Sequence, residues 1–300
     1  MLATTRHCAV FGHPIRHSAS PAMHNAAIAA LGLDWRYLAC DVHPDHLRAA
    51  ISGAKALKFI GLNLTVPHKL LATAMVDILH ESAKTWGAVN TICFEAQDHD
   101  TGQWQPMAQC PSDTASIIRS VGYNTDADGL THSLREDLGC PITGQKILLL
   151  GAGGAGRTAA LKLASENAAE LFLVNRTASK AEELANEITK RFPQTKVTVG
   201  YPTGRVDLLL NATSLGLKTE DSLPLDETEF PITRASAVYD MIYRPATTPL
   251  LQAAKSAGCH TANGLGMLLY QGAAALEIWS GKPAPVAVMR RALEKNVYGH

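Results

Sequence analysis

An apolar run, Lys146-Ile147-Leu148-Leu149-Leu150, breaks into Gly151-Ala152-Gly153-Gly154-Ala155-Gly156-Arg157. An Ala/Leu-rich helical stretch follows, then a second apolar run, Leu171-Phe172-Leu173-Val174. Strand, glycine turn, helix, strand is the opening unit of a dinucleotide-binding domain. Gly151 permits the tight turn, Gly153 and Gly154 let backbone N–H groups approach a pyrophosphate, and the new helix points its positive end at the anion. The spacing reads as Gly-x-Gly-Gly-x-Gly rather than strict G-x-G-x-x-G. An NAD-binding unit usually ends its second strand in Asp or Glu, which holds the ribose 2′-hydroxyl. Here the tip offers Asn175-Arg176-Thr177. A carboxylate would repel a 2′-phosphate, whereas a guanidinium pairs with it bidentately. The expected cofactor is NADP(H), and redox chemistry leads. The bland alternatives are an ordinary glycine-rich turn and, for Arg176, a solvated charge.

Three hundred residues are long for one domain and comfortable for two, and 46% hydrophobic content supports a sizeable core. With 27 basic and 27 acidic residues the net charge is zero, so neither a nucleic-acid nor an acidic-membrane partner is suggested. No apolar stretch approaches the length of a membrane span. The first residues, Met1 to His7, lack a signal-peptide core. Six cysteines are scattered without a C-x-x-C pair and read as reduced thiols of a cytoplasmic protein. Twelve histidines raise the question of a metal. Pro14 separates His13 from His17, His43 and His46 flank a helix start, and no H-E-x-x-H or Cys/His set appears, so no metal site is expected.

The expected fold class is α/β in two domains. Residues 1–125 form an α/β substrate-binding and catalytic domain, which a C-terminal helix at about 281–300 rejoins. Residues 126–280 form a Rossmann-type NADP-binding domain with linking helices. Ser20 reads as the N-cap of a first helix with Pro21 at its start. Pro67 starts another helix, and Asp126–Leu138 is a helix with leucines spaced by four. Glu95–Ser116 is polar, with Gly102, Pro106 and Pro111, and reads as an extended loop or irregular hairpin.

Three polar clusters sit just past strand ends, where open α/β sheets place ligands. They are Gly12-His13-Pro14-Ile15-Arg16-His17-Ser18-Ala19-Ser20-Pro21, Gly61-Leu62-Asn63-Leu64-Thr65-Val66-Pro67-His68-Lys69, and Gly122-Tyr123-Asn124-Thr125-Asp126-Ala127-Asp128-Gly129 with Gly87-Ala88-Val89-Asn90-Thr91. With the glycine turn, in this order from Gly12 to Gln271, they resemble the shikimate dehydrogenase family.

The resemblance implies reversible, NADPH-dependent reduction of 3-dehydroshikimate to shikimate by a monomer or homodimer. It makes Lys69 the proton donor and acceptor and Asp126 its partner on the substrate hydroxyl. It assigns Ser18 and Ser20 to the substrate carboxylate, and Thr65, Asn90, Tyr243 and Gln271 to further substrate contacts. Gly151, Ala152, Gly153, Gly154 and Ala155 match the pyrophosphate turn, and Asn175, Arg176, Thr177 and Lys180 the 2′-phosphate segment. Met241 and Gly264 match positions near the nicotinamide, and Glu81 matches a further cofactor contact.

Residue chemistry alone leaves alternatives open. Lys69 reads as a surface lysine or as one whose charge a helix N-terminus disfavours. Asp126 and Ser20 read equally as helix caps, Ser18 as a local turn former, and Tyr243 as a core aromatic. Two features depart from the family: the long Glu95–Ser116 segment, and Arg244 beside Tyr243. A quinate/shikimate dehydrogenase with looser cofactor use, a methylenetetrahydrofolate dehydrogenase and a non-catalytic ligand sensor are the competing functions. Retention of both Lys69 and Asp126 speaks against the sensor.

Overall fold

The computed structural model describes residues 2–110, 117–218 and 220–299. By contact the chain divides into two compact units, residues 1–126 with 269–300, and residues 127–268.

In the first unit β1 (Arg6–Gly12), α1 (Ser20–Ala30), β2 (Trp35–Asp41), α2 (Leu47–Ala56), β3 (Gly61–Leu64), α3 (His68–Leu71), β4 (Ile78–Leu79), α4 (Glu81–Trp86), β5 (Thr91–Gln97), β6 (Trp104–Pro106) and β7 (Ile118–Tyr123) follow one another. They build one sheet in the order β2-β1-β3-β5-β7-β4, with β6 added beside β5. The β1, β2 and β3 strands run parallel, and β5 runs antiparallel to both β3 and β7. Phe11, Leu62, Leu64, Ile92 and Phe94 are buried in its core. Each is an apolar residue on a strand whose faces are both covered, so the runs are nearly continuous rather than alternating.

Two local expectations change here, and of the two readings of the 95–116 segment its start takes the hairpin. The first helix begins at Ser20 itself, with Ala19 in the capping position and no side-chain cap, so Ser20 does not cap it. Pro67 is followed by a single helical turn, too short for a macrodipole of any size at Lys69. The start of the 95–116 segment is ordered as a hairpin, Glu95–Gln97 pairing with Trp104–Pro106. Arg119 on β7 braces it, bonding Glu95 through Nε at 2.8 Å and lying 4.2 Å over the Trp104 ring. Residues 111–116 lie outside the described part.

The second unit comprises most of α5 (Asp126–Leu138), β8 (Lys146–Leu150), α6 (Gly154–Ser165), β9 (Glu170–Val174), α7 (Ala178–Arg191), β10 (Lys196–Val199), β11 (Val206–Asn211), β12 (Ala235–Asp240), α8 (Pro249–Ser256), β13 (His260–Asn263) and the start of α9 (Leu265–Ser280). Its sheet order is β10-β9-β8-β11-β12-β13, all parallel. In sequence rank that order is 3-2-1-4-5-6, the Rossmann arrangement, with the switch point between β8 and β11. Ile147 to Leu150 are buried because β8 is central and covered on both faces.

The rest of α9 belongs to the first unit. There Trp279 donates from Nε1 to the Ile92 carbonyl at 3.0 Å, tying this helix to β5. The final helix, α10 (Val286–Tyr298), packs against α1. Among the described residues no helix is long and apolar enough to cross a membrane.

Candidate active site

The first unit gathers one group of predicted site residues tightly. Lys69 Nζ donates to Asp126 Oδ2 at 2.8 Å, and Asn90 Nδ2 donates to Asp126 Oδ1 at 3.0 Å. Asn90 Nδ2 also lies 2.9 Å from Thr125 Oγ1 and 3.2 Å from Gln271 Oε1. The five residues come from α3, the position just before β5, the turn between β7 and α5, the first position of α5, and α9, so only the tertiary fold assembles them. Lys69 keeps a third of its side chain in solvent, while Asp126 is 12% exposed. The ammonium can thus meet a small molecule from the solvent side while the carboxylate anchors it from below.

Asp126 does not cap its helix. Both its oxygens are occupied by Lys69 and Asn90, and its own N–H is received by Asn124 Oδ1 at 3.1 Å. Asn124 is the capping-type residue, and its amide in turn donates to the Ala88 carbonyl at 3.1 Å. Thr125 was not singled out by sequence. Its N–H donates to Asn90 Oδ1 at 2.7 Å and its hydroxyl to the Gln271 carbonyl at 3.0 Å, joining β7 to α9.

The serines stand at the mouth of β1. Ser18 is half-buried and accepts from the Ser20 N–H at 3.4 Å. Ser20 is buried, and its side chain opposes the rise that burial imposes on the Tyr37 pKa. Thr65 follows β3, bonds Phe11 through its N–H at 2.9 Å and is partly exposed. Glu81 is exposed at the first turn of α4 and pairs with Lys84 at 2.7 Å.

In the second unit a cavity of about 910 Å³ opens over the sheet's carboxyl ends at the switch point. Leu150, Gly151, Val174, Asn175, Arg176 and Thr213 are among its walls. Gly151 has φ +102°, which side-chain-bearing residues avoid. A Cβ at Gly156 would overlap the Gly151 carbonyl. Gly151, Gly153 and Gly156 therefore do occupy the first, third and sixth places of G-x-G-x-x-G, and Gly154 merely fills a variable position. This corrects the reading of the spacing as irregular.

Gly153 and Gly154 are exposed where α6 begins, with no side chain over the helix N-terminus, and Ala155 follows in its first turn. Asn175 acts as a strut: its Oδ1 accepts from the Ala152 N–H at 2.9 Å and its Nδ2 donates to the Thr177 carbonyl at 2.8 Å. Arg176 and Lys180 are exposed, and Arg176 has no ion pair among the described residues. A glycine-cradled helix start beside an unpaired guanidinium and a large cavity fits a dinucleotide carrying an additional phosphate.

Met241 and Gly264 meet past the ends of β12 and β13, because only a glycine at 264 avoids overlap with the Met241 carbonyl. Asp240, which sequence reasoning missed, holds this corner. Its carboxylate accepts from Asn211 at 3.0 Å, the Ile242 N–H at 3.1 Å and the Thr248 hydroxyl at 2.6 Å, and burial raises its pKa. The available signal was a polar residue ending each apolar strand run, Asn211 on β11 and Asp240 on β12. Tyr243 is partly buried, which raises its hydroxyl pKa, and the exposed Arg244 beside it opposes that rise.

Two α/β units, one with Rossmann order and a phosphate-ready glycine turn, define the class of dinucleotide-binding α/β proteins. Three family profiles match the chain: shikimate dehydrogenase substrate binding domain over residues 10–92, shikimate/quinate 5-dehydrogenase over 134–214, and shikimate 5′-dehydrogenase C-terminal domain over 264–294. The shikimate dehydrogenase (NADP(+)) of Desulforamulus reducens is 40% identical, with 98% of this chain and 96% of that protein covered. The crystal structure of shikimate 5-dehydrogenase from Thermus thermophilus in complex with NADP(H) and shikimate is 34% identical, with a TM-score of 0.79 and coverage of 97% and 99%. A ligand-free 5-ketofructose reductase of Gluconobacter is 32% identical, with a TM-score of 0.80 and coverage of 98% and 99%. The chain belongs to the shikimate dehydrogenase family.

Proposed function

We propose that this protein catalyses the reversible, NADP-dependent interconversion of shikimate and 3-dehydroshikimate. The observation that carries the reading is the Lys69–Asp126 pair, held by Asn90 beside Gln271, in a chain of this family. The unit formed by residues 1–126 and 269–300 takes the substrate, and residues 127–268 take the cofactor.

Bound NADP(H) supplies the hydride chemistry. As the neutral amine Lys69 accepts the ring hydroxyl proton on oxidation, and as the ammonium it gives a proton to the carbonyl oxygen on reduction. Asp126 keeps the amine aimed, Asn90 holds Asp126 with Gln271 bonded to it in turn, and both amides offer polar contacts to the ring hydroxyls. Ser18 and Ser20 receive the substrate carboxylate, with Thr65 and Tyr243 as further contacts. On the cofactor side the backbone of Gly151–Ala155 and the start of α6 hold the pyrophosphate. Arg176, with Lys180 and Thr177 and with Asn175 as strut, holds the 2′-phosphate. Met241 and Gly264 shape the nicotinamide end, and Glu81 is a further cofactor contact. Most of the protein's contribution is positioning, since holding reactants in register removes much of the entropic barrier. The same reading is of a cytoplasmic enzyme, and six free cysteines suit a reducing compartment.

Initial rates with shikimate or quinate, each with NADP or NAD, test the reading. Shikimate with NADP is expected to give the highest kcat/KM. Faster turnover of quinate, or equal use of NAD, would replace it with the broader quinate/shikimate activity, and no turnover at all with the sensor.

A further inference from the structure

A run of buried polar side chains crosses the first unit's sheet beneath the Lys69–Asp126 pair. Tyr37 on β2, Asn63 on β3 and Thr91 on β5 are 2%, 5% and 0% exposed, and none has a role in the reading above. The Tyr37 hydroxyl donates to Asn63 Oδ1 at 2.7 Å. Asn63 Nδ2 donates to Thr91 Oγ1 at 3.0 Å and to the Asn90 carbonyl at 3.3 Å. Thr91 Oγ1 then lies 3.2 Å from Thr125 Oγ1 and 3.3 Å from Asn90 Oδ1.

Backbone groups fix the orientation of both amides in this run. A main-chain carbonyl only accepts, so the Asn63 atom facing Asn90 must be its NH₂, which turns Oδ1 to Tyr37 and obliges that hydroxyl to donate. A main-chain N–H only donates, so the Asn90 atom facing Thr125 N must be Oδ1, which turns the Asn90 NH₂ to Asp126 and Gln271. The Thr125 hydroxyl is directed to the Gln271 carbonyl, so Thr91 is left to donate toward Thr125 Oγ1 or Asn90 Oδ1. Buried polar groups are tolerated in a sheet interior only when paired, and a satisfied network admits one arrangement rather than several.

We propose that Asn63 is a positioning residue for the reaction. It locks Thr91 and the Asn90 main chain, and through them holds the Asn90 amide in the one orientation that supports Asp126. Tyr37 sets the orientation of Asn63. The proposal deepens the reading above and rests on it, because Asn90 and Asp126 matter only if they serve that substrate.

The test compares wild type, Asn63→Ala and Tyr37→Phe for kcat and KM with shikimate and NADP⁺, NADP⁺ affinity by fluorescence titration, and circular dichroism. Asn63→Ala is expected to lower kcat about 10- to 100-fold, because loosened positioning costs that much without removing a reacting group. Tyr37→Phe, which deletes one hydroxyl, is expected to lower it about 3- to 10-fold. NADP⁺ affinity should stay within about twofold in both, since the glycine turn is untouched, and a merely structural role would not separate the two readouts in this way. A folded Asn63→Ala with wild-type kcat overturns the positioning role. Should that variant fail to fold, an unchanged kcat in Tyr37→Phe overturns it. A wild type that leaves shikimate unchanged overturns the functional reading, and this role with it.

Discussion

Asp126→Asn is nearly isosteric and should nevertheless be severe. The carboxylate accepts on both oxygens, from the Lys69 ammonium at 2.8 Å and from the Asn90 NH₂ at 3.0 Å. An amide has one acceptor and one donor. In either orientation its NH₂ faces a donor, so one of the two bonds becomes a repulsion. Keeping the oxygen toward Asn90 costs the lysine its counter-charge and its anchor. Keeping it toward Lys69 sets two NH₂ groups together in a site where Asn90 is 1% exposed. A broken, fully buried ion pair costs about 3–5 kcal/mol, but Lys69 is one-third exposed and rehydrates, so a stability loss of about 1–2 kcal/mol is expected. Turnover should suffer more. Losing a positioned proton-transfer group costs about 10²–10⁴-fold, and a misaimed lysine falls at the lower end, about 10²–10³-fold in kcat, or about 2.7–4.1 kcal/mol of barrier. Shikimate oxidation followed by NADPH absorbance, beside a thermal melt, measures both. A variant with a lowered melting temperature and turnover within threefold of wild type would make the carboxylate a structural group and refute the argument.

The remaining predictions concern the cofactor and acid stability. Arg176→Ser removes an exposed guanidinium with no ion pair among the described residues, so the melting temperature should not change. The KM for NADP⁺ should rise about 10- to 150-fold, the equivalent of about 1.5–3 kcal/mol for a hydrogen bond to a charged group, while that for NAD⁺ stays constant; a parallel rise for both cofactors would contradict a 2′-phosphate role. His24 is fully buried, stacked 4.1 Å from the Tyr37 ring, and neither ring nitrogen has a hydrogen-bond partner among the described residues. Burial lowers its pKa from 6.5 to about 3. Above pH 6.5 neither folded nor unfolded chain protonates it. Between pH 6.5 and 3 the unfolded chain takes a proton that the folded one refuses, so stability falls with pH by up to about 1.4 kcal/mol per unit. His24→Phe should flatten that acid limb in denaturant titrations across pH, and an unaltered slope would place the acid sensitivity elsewhere.

Long elements were legible because their patterns repeat. Lys146–Leu150, Asp126–Leu138 and Leu265–Ser280 appear with the boundaries that apolar runs and helical spacing indicate. The turn at His68–Leu71 and the short β6 strand carry too few residues for periodicity to act on, and Pro67 suggested a longer helix than forms. Ser20-Pro21 resembles a capping pair, but the helix starts one residue early, at Ser20 itself. The candidate site was legible only as separate motifs. That Asp126 meets Lys69, 57 residues away, and that Asn90 reaches Gln271, 181 residues away, follows from sheet order and from the path of α9. Asn63 and Thr125 lay inside quoted motifs and Asp240 ended an apolar run, but no role could be given to them because sequence does not show which buried polar residues are partnered.

The most direct test is the initial rate of NADPH formation from shikimate by Lys69→Ala beside wild type, at saturating NADP⁺. The account predicts a rapid wild type and a kcat lower by about 10³-fold or more in the variant, within the range for a positioned proton-transfer group, with NADP⁺ affinity preserved. Wild-type turnover by Lys69→Ala would contradict it, since the proton would then pass through some group other than the lysine that Asp126 holds.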